Sequence, residues 1–190
     1  MEAHIKTQRY YRTEKEFKNI LLKLKFDACP HCLQEECLIL HGYLYGYGED
    51  PKSQKEKRGH RIFCSNRRKR KGKGCGRTFS VLLSDFIKKH IISAKSVWKF
   101  LNNINEDKSL VSALRSSDSD IGEAGIYHIF KKFEGNQINI RTLLMSKKDP
   151  PVLDHTKNSV IQTIAHLRSA FKDSPCPVSQ FQYHFQTSFL

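Results

Sequence analysis

The sequence predicts an α+β fold, in which a small β-hairpin domain is followed by a mainly α-helical region. Apolar and aromatic residues alternate with a period of two from Leu38 to Tyr47, as they do in a half-exposed strand. After residue 80 the alternation ends, and apolar residues recur at helical spacing instead. Of the 190 residues, 38% are hydrophobic and 11% aromatic, which is enough for a folded core.

Residues 1–24 are predicted to be an N-terminal helical segment. Thr13 and Glu16 have the T-x-x-E spacing of a capping box, in which each side chain satisfies a free backbone N–H at the start of a helix. Four apolar residues then fall on one face of that helix: Phe17, Ile20, Leu21 and Leu24.

Residues 25–82 are predicted to form the hairpin domain. The strand over 38–47 leads into a polar loop over 48–59, and a second short strand at 61–63 runs into Cys64. One face of the first strand carries Tyr43, Tyr45 and Tyr47. These rings are suited to stacking on the bases of a single strand, and a half-buried sheet face explains them equally well.

Residues 83–148 are predicted to be helical. Ser93 caps a helix whose apolar face is Val97, Trp98, Leu101 and Ile104, and Asp107 caps a shorter helix after it. A third helix spans about 120–135, opening at an aspartate and stopping near Gly135-Asn136. Residues 138–145 add one or two further turns.

Residues 149–190 are predicted to hold the C-terminal helices. The Asp149-Pro150-Pro151 sequence is a stiff break before a helix that carries Val160, Ile161, Ile164, Leu167 and Phe171. Phe181, Phe185 and Phe189 follow at i, i+4 and i+8, which predicts a last amphipathic helix serving as core or as a dimer contact. Cys176 lies between two prolines and is interpreted as a packing residue.

The positive charge of the chain is concentrated in one segment. The formal net charge is +14, from 33 Lys and Arg against 19 Asp and Glu. Residues 51–77 hold twelve of those cations and one acid, so this segment contributes +11 and the other residues contribute 21 minus 18, or +3. So dense a run attracts a polyanion, of which nucleic acid is the commonest. A solvated basic loop with no dedicated partner is the plainer interpretation. A membrane surface is disfavoured because no amphipathic apolar face accompanies the run.

The basic segment supplies most of the candidate nucleic-acid contacts. Because lysine and arginine side chains contact phosphates, they are expected to give affinity with little choice of base sequence. The candidates here are Arg61, Arg67, Arg68, Lys69, Arg70, Lys71, Lys73 and Arg77. Arg77 is equally well explained as an ordinary surface residue.

Two pairs of cysteines are the strongest chemical signal in the sequence. Cys29 and Cys32 have C-x2-C spacing, and Cys64 and Cys75 are separated by ten residues. Structural zinc takes four thiolate or imidazole ligands at tetrahedral positions, and a hairpin returns the chain to its start, where the two pairs meet. The pattern predicts a zinc ribbon in which one structural Zn²⁺ is bound by these four thiolates. Residues 65–74 are then an insertion between the second pair of cysteines, and this insertion is expected to form an exposed basic loop.

Other interpretations of the cysteines stay open. Cys37, His31, His41 or His60 can replace one of the four ligands, although Cys37 is better explained as a small apolar residue beside the site. The Cys29-Pro-His-Cys32 sequence is also the active-site motif of thiol oxidases with a thioredoxin fold. No βαβ pattern surrounds it here, which disfavours a redox enzyme.

The order of these motifs resembles the N-terminal zinc ribbon of bacterial insertion-sequence transposases. The matching residues are Cys29-Pro-x-Cys32, His41-Gly42-Tyr43, Arg61-Ile62-Phe63-Cys64 and Cys75-Gly76-Arg77-Thr78-Phe79-Ser80. The resemblance covers residues 29–80 well and 81–135 loosely. It implies DNA binding and a helix-turn-helix within 107–135. It departs from the family in the ten-residue basic insert and in the lack of a following catalytic domain with three spaced carboxylates.

The helix over 120–134 is the candidate recognition helix in this comparison. Its exposed candidates are Tyr127, His128, Lys131 and Lys132, of which the two lysines are included among the nucleic-acid contacts. A packed amphipathic helix with no such role explains the same pattern.

We therefore expect a nucleic-acid-binding zinc-ribbon protein related to the DNA-binding regions of mobile elements, without a catalytic core. No nucleophile–base pair, phosphate-binding glycine loop or carboxylate dyad indicates an enzyme. The expected partner is double-stranded DNA, and a protein partner or self-association through the C-terminal helices is a further expectation. The chain has no apolar run long enough to span a bilayer and no secretory signal, which predicts a cytoplasmic protein. An RNA-binding ribbon, a thiol-redox enzyme and an adaptor of a transposition complex are the alternatives.

Overall fold

The structure is a computed structural model that describes residues 9–24, 26–49, 54–66, 74–104, 109–115, 122–153 and 158–190. The chain divides into two compact units. The N-terminal unit lies within residues 1–47 and 54–83, and the helical unit lies within 48–53 and 84–190. The helix predicted as a separate N-terminal segment belongs to the same unit as the cysteine-bearing hairpin. The α+β class is confirmed: one unit is built around a sheet and the other from helices.

Helix α1 (Glu14–Lys23) begins where the capping box predicts. The Thr13 Oγ1 accepts a hydrogen bond from the Glu16 backbone N–H at 3.2 Å, and the Glu16 carboxylate accepts one from the Arg12 backbone N–H at 2.8 Å. Phe17, Ile20 and Leu24 are buried, so the predicted apolar face is the one that packs. Its neighbours in this core include Tyr11, Ile62 and Val81.

The sheet of the N-terminal unit has four strands in the order β1-β4-β3-β2. These are β1 (Tyr10–Tyr11), β2 (Leu38–Tyr47), β3 (Lys55–Cys64) and β4 (Thr78–Leu83). β3 is antiparallel to both β2 and β4, whereas β1 is parallel to β4. The register pairs Leu38 with Cys64 and Tyr47 with Lys55. β2 is therefore an edge strand over its whole predicted length.

One sequence-based expectation about this sheet was wrong, and one of its strands was not predicted. The polar loop expected over 48–59 ends early, because residues 55–59 belong to β3 and pair with the end of β2. Their charged sequence lacks the apolar alternation of a strand, but pairing with the tyrosine-rich β2 satisfies their backbone groups. The segment after Cys75 was read as a motif only, and it forms β4, whose Val81 is buried in the core.

The helical unit contains α2 (Ala94–Asn102), α3 (Leu110–Arg115), α4 (Glu123–Met145), α5 (Ser159–Ala170) and α6 (Pro177–Phe185). Ser93 caps α2 as predicted, with its side chain accepting from the Ser96 backbone N–H. The Ser109 Oγ accepts from the Ser112 N–H at the start of α3, and the expected cap Asp107 lies outside the described residues. Asp120 also lies outside them.

Helix α4 corrects the prediction of a stop at Gly135. The helix is 23 residues long, continues past Gly135 and includes residues 138–145, where separate turns were expected. A glycine inside a helix costs about 1 kcal/mol relative to alanine. Burial of Phe133 before it and Ile140 after it returns roughly 1.5–3 kcal/mol for each side chain, which outweighs that cost.

Helix α6 is shorter than the phenylalanine spacing predicts. It ends at Phe185, and Gln186 takes a left-handed conformation with φ 53°. The chain then turns back, so that Phe189 is fully buried and its ring lies 5.4 Å from that of Phe181 and 5.8 Å from that of Phe133. All three phenylalanines therefore pack in the core of the helical unit, and Phe189 does so from beyond the end of α6.

Candidate metal centre

Four cysteines from three parts of the N-terminal unit converge on one point. Cys29 and Cys32 lie in the turn between α1 and β2, Cys64 ends β3, and Cys75 stands just before β4. Their four Sγ atoms all lie within 4.8 Å of one another. Among the residues that the structure describes, this is the one group of three or more Cys, His, Asp or Glu side chains arranged to hold a metal ion.

The first cysteine pair is held by a tight turn. The Leu33 N–H donates to the Cys29 carbonyl at 2.8 Å, and the Cys29 N–H donates to the Gln34 carbonyl at 3.0 Å. Leu33 takes a left-handed conformation with φ 59° to close this turn. The turn aims the His31 backbone N–H at the Cys29 Sγ, 3.4 Å away. Such a contact favours a thiolate at this position, because an N–H donor stabilises negative charge on sulfur.

The second pair forms a comparable turn despite its ten intervening residues. The Cys64 N–H donates to the Arg77 carbonyl at 2.9 Å, and the Gly76 N–H donates to the Cys64 carbonyl at 3.0 Å. The Cys75 N–H points at the Cys64 Sγ from 3.2 Å. Gly76 has φ 72°, a conformation in which a side chain would be strained.

The two ends of the basic insert, Ser65 and Gly74, are joined by a hydrogen bond. We call this closed pair the neck of the insert. The Gly74 N–H donates to the Ser65 carbonyl at 2.9 Å, and the Ser65 N–H donates to the Cys37 carbonyl at 2.8 Å. A Cβ on Gly74 would lie 2.4 Å from the Cys64 Sγ and 2.5 Å from the Ser65 carbonyl oxygen. Gly74 is therefore required by close packing against a cysteine of the cluster. The sequence places Gly74 in the insertion over 65–74, where its adjacency to Cys75 was the available signal of this role.

Two of the sulfur–sulfur distances in the cluster match those of a tetrahedral site with four thiolates. The Cys29 and Cys75 Sγ atoms are 3.9 Å apart, and the Cys32 and Cys64 Sγ atoms are 3.7 Å apart. Four Zn–S bonds of about 2.3 Å at tetrahedral angles separate the sulfur atoms by about 3.8 Å. The donor set is all thiolate, which suits zinc and disfavours the oxygen-seeking cations magnesium and calcium.

The local surroundings shift the thiol pKa values in opposite directions. Burial raises the pKa of Cys29 and of Cys64 to about 12. The backbone N–H of Gln34 lowers the pKa of Cys32 to about 7. Without a metal, the two buried sulfurs therefore stay protonated at neutral pH, and metal binding must displace those protons.

The other proposed ligands lie outside the four-cysteine cluster. Cys37 is fully buried, with its Sγ 3.2 Å from the Cys64 Sγ and 3.0 Å from the Gln34 carbonyl, to which it donates. The His41 ring packs at 5.5 Å from that of Phe63, and the His60 ring stacks on Phe17 at 3.4 Å. The His31 side chain is exposed.

The geometry of the CPHC sequence differs from that of a thiol oxidase. Cys29 lies in a turn followed by strand β2, whereas a redox cysteine gains its low pKa at a helix N-terminus. Burial moves the Cys29 pKa upward, and Cys64 and Cys75 complete a four-sulfur group around it. These observations favour a metal site over a reactive thiol.

The candidate nucleic-acid contacts fall in both units. Arg61 is exposed on β3, and Arg77 is exposed directly after the second turn. The densest part of the insert, Arg67, Arg68, Lys69, Arg70, Lys71 and Lys73, lies outside the described residues.

Lys131 and Lys132 are exposed on α4 of the helical unit. The Lys131 ammonium pairs with the Glu134 carboxylate at 3.1 Å, and the Lys132 Nζ lies 3.1 Å from the His90 Nε2. Tyr127 and His128 are exposed on the same helix. These positions are accessible, and the apolar residues between them form the packed face of α4.

Comparisons with protein-family models, with curated proteins and with solved structures found no match to this chain. Within the described residues, none of the helices has the length and apolar character needed to cross a membrane.

Proposed function

We propose that this protein is a nucleic-acid-binding zinc ribbon, in which Cys29, Cys32, Cys64 and Cys75 hold one structural Zn²⁺. The observation that carries the proposal is the closed neck at the metal centre. Both ends of the basic insert are tied to the cluster, one through Cys64 and the other through Cys75. A bound zinc ion links these two ends through its ligands, so that the insert leaves the fold from a fixed base.

The charge distribution supports nucleic acid as the partner. Residues 51–77 carry +11 of the net +14, and six of these cations fall between positions 67 and 73. Contacts from such a loop go to phosphates, and binding is driven largely by the release of counterions. The resemblance to transposase zinc ribbons favours double-stranded DNA, and RNA is the competing partner.

The test is the salt dependence of binding by the zinc-loaded chain. Binding of a labelled DNA duplex is measured by fluorescence anisotropy between 50 and 300 mM salt for the wild type and for a variant with the six cations of 67–73 changed to glutamine. If all six neutralise phosphates, the slope of log Kobs against log salt falls in magnitude by about 5. The matched control changes Lys95 and Lys99, two exposed lysines of α2, to glutamine and leaves the insert intact.

The outcomes separate the competing proposals. An unchanged slope in the insert variant contradicts phosphate contact by the insert. Competition by unlabelled DNA and RNA of the same sequence then distinguishes the two nucleic acids. Removal of zinc by a chelator is expected to abolish specific binding, because the neck loses the ion that joins its two sides.

A further inference from the structure

The outer strand of the hairpin carries a row of exposed aromatic rings. Tyr43, Tyr45 and Tyr47 on β2 are 54%, 60% and 62% exposed, although they occupy three successive positions on one face. The Tyr43 and Tyr45 ring centroids are 6.2 Å apart, with the ring planes tilted by 59°. The three rings are therefore accessible to a partner. A row of three accessible aromatic rings is an unusual surface and indicates a binding site.

Lysines from β3 lie on the same face as the tyrosines. The register pairs Tyr45 with Lys57 and Tyr47 with Lys55, and paired residues in an antiparallel ladder point to the same side. The register skips Arg58 at an irregularity between Leu44 and Tyr45, and this shift places Lys57 opposite Tyr45. The Lys57 Nζ lies 4.6 Å from the Tyr43 ring centroid, and the Lys55 Nζ lies 5.5 Å from that of Tyr47.

This arrangement places a cation beside each of the two outer rings and leaves Tyr45 between them. Lys57 also pairs with the Glu14 carboxylate at 2.9 Å, which fixes the ammonium group in its place next to Tyr43. Glu56 pairs in the register with Gly46, so it belongs to the other face. The tyrosine face therefore combines accessible rings with one ammonium group held by Glu14 and a second, that of Lys55, which is exposed at the rim. Aromatic rings and cations are the two elements of a surface that binds unpaired nucleotides.

We infer that this tyrosine–lysine face binds single-stranded nucleic acid, with bases stacked on the tyrosines and the phosphate backbone beside the lysines. The inference rests on the proposed function and adds a second surface, selective for unpaired bases. Side chains on one face of a strand repeat every ~6.7 Å, about twice the ~3.4 Å rise between stacked bases, so successive rings can each meet a separate base.

Charge argues against a second copy of this chain as the occupant. The face is rimmed by Lys55 and by Lys57, of which Lys57 is paired with Glu14, and the chain carries +14. Two copies joined through this edge strand would bring those like charges together, whereas a nucleic-acid strand is attracted by them. Base stacking also accepts any base, which agrees with a surface that presents rings and few specific hydrogen-bonding groups.

The tyrosine–lysine face lies at the opposite end of β3 from Cys64. The insert begins after Cys64 at one end of β3, and Lys55 stands at the opposite end of that strand. Nine residue steps in a strand span about 30 Å. The residues of this face can therefore be changed without altering the cysteine cluster or the two described ends of the insert.

The experiment compares Tyr45→Ala/Tyr47→Ala with the matched control Tyr45→Phe/Tyr47→Phe, both in the full zinc-loaded chain. Anisotropy titrations use fluorescein-labelled 15-mers of deoxyuridine and of uridine together with a 15-base-pair duplex. Loss of one stacked base is expected to weaken single-strand binding by roughly 5- to 150-fold per tyrosine, with duplex binding within threefold of wild type. The phenylalanine variant keeps the rings and stays within threefold for all three ligands.

A second measurement does not depend on the variants. In the wild-type chain, a single-stranded oligonucleotide carrying 2-aminopurine is expected to lose fluorescence on binding, as stacked bases do, and the alanine variant should show little of this loss. Zinc content reports whether each variant is folded. Preference for the deoxyuridine or the uridine strand identifies the sugar of the bound nucleic acid, because the two strands carry the same base, and either preference supports the inference.

Three results overturn the inference. They are equal single-strand affinity in the alanine and wild-type chains, an equal loss of duplex and single-strand affinity, or a wild-type dimer by sedimentation that the alanine changes dissociate. If these tyrosines are inert while the 67–73 variant still lowers the salt slope, the inference fails and the proposed function stands. If the wild-type chain binds none of the three ligands at 50 mM salt, the proposed function itself fails.

Discussion

Gly74→Ala is expected to weaken zinc binding without touching a metal ligand. The added Cβ would lie 2.4 Å from the Cys64 Sγ and 2.5 Å from the Ser65 carbonyl oxygen, whereas ordinary contacts begin near 3.4 Å. About 1 Å of movement is therefore needed on both sides. Neither neighbour moves freely, because Cys64 is a proposed ligand and the Ser65 carbonyl accepts the hydrogen bond that closes the neck.

The size of the effect follows from the cost of overpacking. An extra methyl group in a tightly packed site costs about 1–3 kcal/mol. Because metal binding and folding are coupled in small zinc domains, this energy appears as a loss of zinc affinity of roughly 5- to 150-fold. The variant is titrated against a chromogenic zinc chelator at fixed pH, and the competition gives the dissociation constant for zinc.

Gly135→Ala is the matched control for this prediction. Gly135 is exposed in helix α4, and a Cβ there meets nothing within 4 Å. This change is expected to stabilise the helical unit by about 1 kcal/mol, because alanine is the better helix former, and to leave zinc affinity unchanged. If Gly74→Ala binds zinc within twofold of the wild type, the close packing of the neck against the metal centre is not as described.

Three further predictions concern pH, metal removal and packing. Burial lowers the pKa of His60 in the folded N-terminal unit, so the unfolded chain takes up a proton first as the pH falls below about 6.5. The free energy of unfolding, measured in urea, should therefore fall from pH 7.5 to 5. His60→Gln should flatten that dependence. Chelation of zinc should unfold the sheet of the N-terminal unit, seen by circular dichroism, while the fluorescence of Trp98 in the helical unit changes little. Phe189→Ala should destabilise the helical unit by about 3–5 kcal/mol, whereas Ile138→Ala at an 80% exposed site should stay within about 0.5 kcal/mol, both followed by Trp98 fluorescence in urea.

Local sequence signals predicted the elements whose ends are determined by residues next to them in the chain. The capping box at Thr13 placed the start of α1, and Ser93 placed that of α2, because each side chain binds a backbone N–H within its own helix. The alternation from 38 to 47 gave β2 its observed bounds. The convergence of the four cysteines was also expected, since a hairpin necessarily brings its two ends together.

The remaining elements depend on tertiary contacts that local patterns do not encode. Residues 55–59 are charged and become strand only because β2 offers them a partner. Gly135 suggested a helix end, but burial on both sides of it outweighs its low helix propensity. The role of Gly74 depends on its distance from Cys64, which is ten residues away in the sequence and adjacent in space.

The central claim is that four cysteines hold one zinc ion at the base of the basic insert. Native mass spectrometry and metal analysis of protein purified without added metal test it directly, using the wild type, Cys64→Ser, Cys37→Ser and Cys176→Ser. The account predicts one zinc per chain in the wild type and in the Cys37 and Cys176 variants, and loss of zinc in Cys64→Ser. A wild-type chain without zinc, or a Cys64→Ser chain that keeps it, would contradict the account.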